Sequence, residues 1–203
     1  MLYDFLGAIA SLLSTYFFIR IDIKAWPIGL VATCLNGWLY WQKGIYADML
    51  LESLYFISLC YGWYRWSKKE ASPASPTRHL SNQQLLCLCL IIVGLYGIIF
   101  YLLTSFSHST VAKLDALTAS ISIGAQALMC YKMIATWGLW LIADVLYGWM
   151  YWKKGLPVHT LLMIIYSAIA FVGFIYWHQK NQRAQRSNWT LLPSSPPPNA
   201  PMV

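Results

Sequence analysis

Seven apolar segments, at 3–19, 27–42, 47–66, 83–103, 113–130, 137–152 and 157–177, make up most of this chain of 203 residues. Each comes close to the roughly 20 residues needed to cross the hydrocarbon core of a bilayer, so each is read as a membrane-spanning helix. The charge content agrees. Only 10% of the residues are charged, whereas a soluble domain carries about 25% to cover its surface. A soluble enzyme, a disordered chain and a disulfide-stapled domain are all excluded on that ground. Trp26, Trp41, Trp66, Trp137, Trp152 and Trp177 stand at segment ends, where an amphipathic ring suits the membrane interface.

The net charge of +7 does not point to nucleic acid, because the basic residues sit singly between apolar runs rather than on one patch. They read instead as topology signals. Ten of the fourteen Lys and Arg flank the side that holds the C-terminus (Arg20, Lys24, Arg65, Lys68, Lys69, Arg78, Lys132, Lys180, Arg183, Arg186), against Lys43, Lys113, Lys153 and Lys154 on the other. The positive-inside rule then puts the C-terminus in the cytoplasm and the N-terminus outside. No basic leader precedes the first apolar run, so no cleaved signal peptide is expected. The five cysteines (Cys34, Cys60, Cys87, Cys89, Cys130) all fall in apolar stretches and read as small buried hydrophobes; no metal or cofactor site is expected.

An internal repeat constrains the arrangement of the spans. The stretch Gly37-Trp-Leu-Tyr-Trp-Gln-Lys-Gly44 returns as Gly148-Trp-Met-Tyr-Trp-Lys-Lys-Gly155, an offset of 111 residues. The same offset pairs Asp4 with Asp115, Ser11 with Ser122, Trp26 with Trp137, Tyr55 with Tyr166, Gly62 with Gly173 and Trp66 with Trp177. Spans one to three therefore correspond to spans five to seven, with the fourth as a linker. Moving forward four spans preserves direction across the membrane, so the repeats are parallel, as in the sugar transporters called SWEETs. The expected fold is an all-α integral membrane protein of seven helices. Its parts are a first repeat at 1–66, a cytoplasmic loop at 67–82, a linker helix and outer loop at 83–111, a second repeat at 112–177, and a disordered cytoplasmic tail at 178–203.

Polar groups inside such spans are costly unless they face a cavity or a partner. Glu52 in the third span and Asp144 in the sixth have no basic residue within a helical turn along the sequence. Their counterparts at the 111-residue offset are Met163 and Thr33, so the two halves differ where a binding site would be asymmetric. Asn36, Gln126, Thr33, Thr118, Ser120 and Ser122 add neutral polarity in the second and fifth spans; interhelical hydrogen bonding is the alternative role for these. Trp137, Trp140 and Asp144 recur at i, i+3 and i+7 on one helical face, which reads either as a ligand-facing stripe or as packing. Two carboxylates among aromatics suit a small cationic substrate with a flat ring. No His/Asp or nucleophile constellation is present in the spans, so no enzymatic activity is expected.

At Trp26-Pro27-Ile28-Gly29, Gly44-Ile45-Tyr46-Ala47-Asp48 and Tyr61-Gly62-Trp63-x-x-Trp66, then at Asp115, Ala125-Gln126 and Trp137-x-x-Trp140, the chain resembles the PnuC family of bacterial vitamin-precursor transporters. The likeness runs from about Asp4 to Trp177. It implies a seven-span inner-membrane protein, a homotrimer, and facilitated diffusion of nicotinamide riboside that cytoplasmic phosphorylation then traps. Taken together with the polar groups in the spans, the expected substrate-binding residues are Trp137, Trp140, Asp144, Glu52, Asn36, Gln126, Thr118 and Ser122. Two positions depart from the family pattern. Glu52 stands where nicotinamide riboside transporters usually have Gln, and Asp144 where they usually have Asn. A carboxylate suits the aminopyrimidine and thiazolium of thiamine, so thiamine, which some members of this family look set to carry, is the alternative substrate. A non-transporting receptor or structural protein is the more distant reading.

Overall fold

A computed structural model describes residues 2–42, 46–69, 77–106, 112–153, 155 and 157–190. The described residues form seven α-helices: α1 (Leu2–Ile19), α2 (Ala25–Gln42), α3 (Tyr46–Lys69), α4 (Asn82–Phe106), α5 (Ala112–Cys130), α6 (Ala135–Lys153) and α7 (Pro157–Thr190). Helices are the expected answer for apolar segments that have to satisfy their own backbone groups. The seven spans read from the sequence each fall within one of them. Lys43, Lys154, His108, residues 70–76 and residues 191–203 lie outside the described residues, and so do the side chains of Asp4, Asp48 and His159.

Helix α7 differs from the expectation. The tail was expected to be disordered from residue 178, yet α7 continues through Thr190. The reason is local: His-Gln-Lys-Asn-Gln-Arg-Ala-Gln-Arg contains good helix formers and neither Gly nor Pro, and the first breaker is Pro193. Polarity reports exposure to water, not loss of helix. Helix α4 opens on a capping box, in which the Gln84 backbone N–H donates to Ser81 Oγ at 3.3 Å and the Ser81 N–H to Gln84 Oε1 at 3.0 Å.

The packing order is α1 on α2, α2 on α3, α3 on α5, α5 on α6, α6 on α7, and α7 back on α1. Six helices thus close a ring, while α4 packs on α5 from outside and turns Leu86, Leu90 and Val93 outward. Backbone geometry recurs around this ring. Ile21 and Lys132, 111 residues apart, both take left-handed φ values, 59° and 55°. Each closes the preceding helix in the same way: Ile21 N–H bonds Phe18 O and Asp22 N–H bonds Phe17 O, as Lys132 N–H bonds Met129 O and Met133 N–H bonds Leu128 O. This is the Schellman pairing, usually made with Gly at the left-handed position. Side chains carry the same relation. Ser14 Oγ donates to Ala25 O at 2.8 Å, and Thr136 Oγ1 donates to Ala125 O at 2.7 Å, so equivalent positions are joined with donor and acceptor exchanged.

One end of the ring is sealed by tryptophan. Trp26, Trp66, Trp137 and Trp177 are at most 2% exposed. They meet edge to face, Trp26 with Trp66 at 5.1 Å and Trp137 with Trp177 at 5.5 Å between ring centroids, an arrangement favoured by the ring quadrupoles. Gly62 and Gly173 make room for them, since a Cβ on either would fall among the ring atoms of Trp26 or Trp137. Arg65, Lys68, Arg78, Lys132 and Lys180 gather around this same end, the basic end of the bundle: Lys132 Nζ lies 4.4 Å over the Trp66 ring and Arg78 bonds the α5–α6 turn through its backbone.

Candidate functional site

Above the tryptophan seal, the ring encloses a cavity of about 390 Å³, within the range of small-ligand sites. Its walls follow from helical spacing. Ser11, Ser14, Thr15 and Phe18 lie on one face of α1, and Gly29, Ala32, Thr33, Asn36 and Tyr40 on one face of α2. Helix α3 brings Leu51, Glu52, Tyr55 and Leu59; α5 brings Ser122, Gln126 and Met129. Helix α6 brings Trp137, Trp140, Asp144, Tyr147 and Tyr151, and α7 brings Met163 and Tyr166. All six ring helices contribute, and no described residue of α4 does.

Seven of the eight candidate residues border this space: Trp137, Trp140, Asp144, Glu52, Asn36, Gln126 and Ser122. Thr118 does not. It is fully buried, and its hydroxyl donates within its own helix to Leu114 O at 2.9 Å and Asp115 O at 3.1 Å, the interior role open to a helical Thr. The two tryptophans also separate. Trp137 is wedged into the seal against Gly173 and offers the cavity only part of its ring. Trp140 stays half-buried, 6.4 Å from the Tyr55 ring with a tilt of 56°, so it is the indole free to take a flat ligand.

The polar groups divide by position. Asn36 Nδ2 donates to Glu52 Oε1 at 3.5 Å, which joins α2 to α3. On α5, Gln126 Nε2 is buried with no hydrogen-bond partner of good geometry, and Ser122 Oγ, one helical turn away, lies within reach of the Tyr55 hydroxyl; both are at the cavity. A buried unpaired donor such as Gln126 Nε2 carries a desolvation penalty until something pairs with it. Tyr55 and Tyr166 each lie within electrostatic reach of both Glu52 and Asp144. The described lining contains those two carboxylates and no Lys, Arg or His.

Sequence reasoning overlooked the tyrosines. Tyr40 with Tyr151 and Tyr55 with Tyr166 are pairs at the 111-residue offset, and all four border the cavity with Tyr147. Their signal was present in Tyr55 and Tyr166, a matched pair in the interior of spans, away from the interface that usually accounts for tyrosine; Tyr40 and Tyr151 stand near span ends beside Trp41 and Trp152. Ser11 with Ser122 is a further matched pair, but other offset positions are unlike: Thr33 with Asp144, Asn36 with Tyr147, Glu52 with Met163, Thr15 with Gln126 and Gly29 with Trp140. A cavity with a near-symmetric tyrosine frame thus carries an asymmetric set of polar groups.

Comparison with known proteins gives a consistent result. A family model described as nicotinamide mononucleotide transporter matches residues 1–179. The chain is similar to the nicotinamide riboside transporter PnuC of Escherichia coli, 26% identical over 208 residues that cover 89% of this chain and 87% of that protein. It is also similar to the nicotinamide riboside transporter PnuC of Neisseria mucosa, 25% identical over 186 residues, covering 84% and 70% respectively. A solved structure, described as the crystal structure of the vitamin B3 transporter PnuC, superposes with a TM-score of 0.72 at 23% identity, covering 88% of this chain and 81% of that one.

Proposed function

Because the chain belongs to the nicotinamide mononucleotide transporter family, and is on that ground a multi-pass membrane transporter rather than an enzyme, we propose that it carries nicotinamide riboside by facilitated diffusion. The observation that carries this reading is the charge of the cavity: two carboxylates, aromatic walls and no basic group in the described lining. A flat cationic ring fits such a site, through stacking on Trp140 and attraction to Glu52 and Asp144. A mononucleotide does not, because its phosphate would meet carboxylates with no basic partner, an expensive placement for a charge out of water. The transported species is therefore the nucleoside, and phosphorylation in the cytoplasm traps it afterwards.

The chain acts as two parallel three-helix repeats, 1–66 and 112–177, that rock about the cavity between them, with the segments at 67–82 and 83–111 connecting them. Recurrence of the Ile21 and Lys132 turns and of the crossed Ser14 and Thr136 hydrogen bonds supports this arrangement. The basic end faces the cytoplasm, with the N-terminus outside, in the bacterial inner membrane. Protomers associate as homotrimers; the outward apolar face of α4, outside the ring, is the element available for that contact.

Thiamine is the second reading, and Glu52 and Asp144 favour it. A carboxylate accepts from an aminopyrimidine better than a side-chain amide does, whereas amides pair well with a carboxamide. The test is uptake into liposomes that hold purified protein and no ion gradient. Labelled nicotinamide riboside should equilibrate across the bilayer and nicotinamide mononucleotide should stay outside. Equilibration of thiamine alone would move the assignment to thiamine, and accumulation above equilibrium in parallel liposomes given a sodium or proton gradient would overturn facilitated diffusion.

A further inference from the structure

The helical ring closes at two seams between its halves, where α3 meets α5 and where α7 meets α1. The 111-residue offset makes these seams counterparts, yet their basic ends are fastened by different means. At the α7–α1 seam, the fully buried Trp177 donates its indole N–H to Phe18 O at 3.1 Å and to Ile19 O at 3.0 Å. Its counterpart Trp66 makes no such bond, and its Nε1 is buried without a partner. The α3–α5 seam is held instead by groups that water reaches. Arg65 Nη1 donates to Tyr61 Oη at 3.2 Å, its guanidinium lies 4.1 Å over the Tyr131 ring, and the Tyr61 and Tyr131 hydroxyls are 3.2 Å apart. Behind them the Cys130 thiol is buried, 3.6 Å from Ser58 Oγ, and donates to Ser58 O at 3.5 Å.

We propose that the α3–α5 seam is the gate at the basic end, latched by Arg65, Tyr61 and Tyr131, and that the α7–α1 seam is its hinge. This rests on the transport reading above and names the moving part. Parting the exposed latch exchanges protein contacts for water, and such contacts contribute little net free energy. Tearing Trp177 from α1 would strand a buried indole N–H, which carries the full desolvation penalty. At the basic end, rocking therefore follows the seam whose fastening parts at lower cost, although α3 meets α5 over the longer interface. The break falls between Tyr131 and the α3 side chains, because Arg78 braces the turn that carries Tyr131: Arg78 N–H bonds Lys132 O and Ile134 N–H bonds Arg78 O, both at 2.9 Å. Leu59 and Met129, which line the cavity, directly follow Ser58 and directly precede Cys130. Opening this seam draws them apart and opens the cavity toward the basic end.

Cys130 is a built-in reporter for the seam, and Ile19 occupies the matching place on the other one. In a variant with Cys34, Cys60, Cys87 and Cys89 changed to Ala, none of which borders the cavity, the rate of maleimide reaction at Cys130 is measured without substrate. Arg65→Ala should raise that rate about two- to fivefold, the population shift expected from losing exposed guanidinium contacts, and Arg65→Lys should raise it less. With Cys130→Ala and Ile19→Cys, the starting rate reflects a half-buried position and should not change with Arg65→Ala. An unchanged Cys130 rate in Arg65→Ala, or an Ile19→Cys rate that rises by the same factor, would overturn the assignment. Because labelling needs no substrate, it reads the seam independently. Failed nicotinamide riboside uptake with the labelling pattern intact would count against the substrate and not against the gate.

Discussion

The benzo edge of the Trp26 indole occupies the space that a Cβ on Gly62 would fill. The same relation holds between Trp137 and Gly173, where an added Cβ would lie 2.6 Å from ring carbons. These glycines serve packing and not backbone freedom, as both lie within helices. Gly62→Ala and Gly173→Ala should each destabilise the protein by about 1–3 kcal/mol, the usual cost of overpacking a filled core. Gly94→Ala, with nothing within 4 Å of the new methyl, is the control and should be neutral or slightly stabilising. Thermal unfolding of the detergent-solubilised variants checks this.

Trp177 and Trp66 should respond differently to the same change. Trp177→Phe removes a donor that serves two carbonyls and should cost about 1–3 kcal/mol beyond the lost ring area. Trp66→Phe removes an indole N–H that has no partner, so relief of an unpaired donor offsets part of the packing loss. Paired melting curves should rank Trp177→Phe as clearly the less stable; an equal loss would show that the indole bonds contribute nothing.

Glu52→Gln and Asp144→Asn test the substrate. Both keep shape while they remove charge and add a donor. If the protein carries thiamine, each should weaken thiamine binding by about 1–3 kcal/mol, the scale for losing a charged hydrogen bond. The double variant should then shift toward nicotinamide riboside. If nicotinamide riboside is native, the same variants should bind it as well or better. Isothermal titration with both compounds separates these outcomes.

The basic end can be located directly. Lys68→Cys at the end of α3 and Gln185→Cys on the extension of α7 should react with a membrane-impermeant thiol reagent only from the cytoplasm. Labelling of both in intact cells would invert the topology and turn the α3–α5 gate toward the outside.

Much of this architecture was legible because hydropathy acts on whole segments: each apolar run had to become a helix. Helix ends were less so. Ala25 and Trp26 precede Pro27 in α2, where a first-turn proline is tolerated, and the polar residues beyond Trp177 carry on as helix. In the site, Glu52, Asp144 and Gln126 were visible because lipid would penalise them. Thr118 looked equivalent, but a hydroxyl can bond its own helix, which composition does not reveal. The tyrosine frame was hidden for the opposite reason: tyrosine is common enough near membranes to attract no notice.

Helix α7 runs for 34 residues, about 51 Å at 1.5 Å per residue, while its apolar part accounts for only some 30 Å of bilayer. The remaining turns stand clear of the lipid as a stiff mast on a protein of 23.2 kDa. Whatever is joined in frame to that mast inherits its orientation, so a compact domain fused through continuous helix at Arg186 would turn with the second half of the molecule. The helix is thus a ready-made handle, able to make a small transporter visible in single-particle images and to report the tilt of one half against the other.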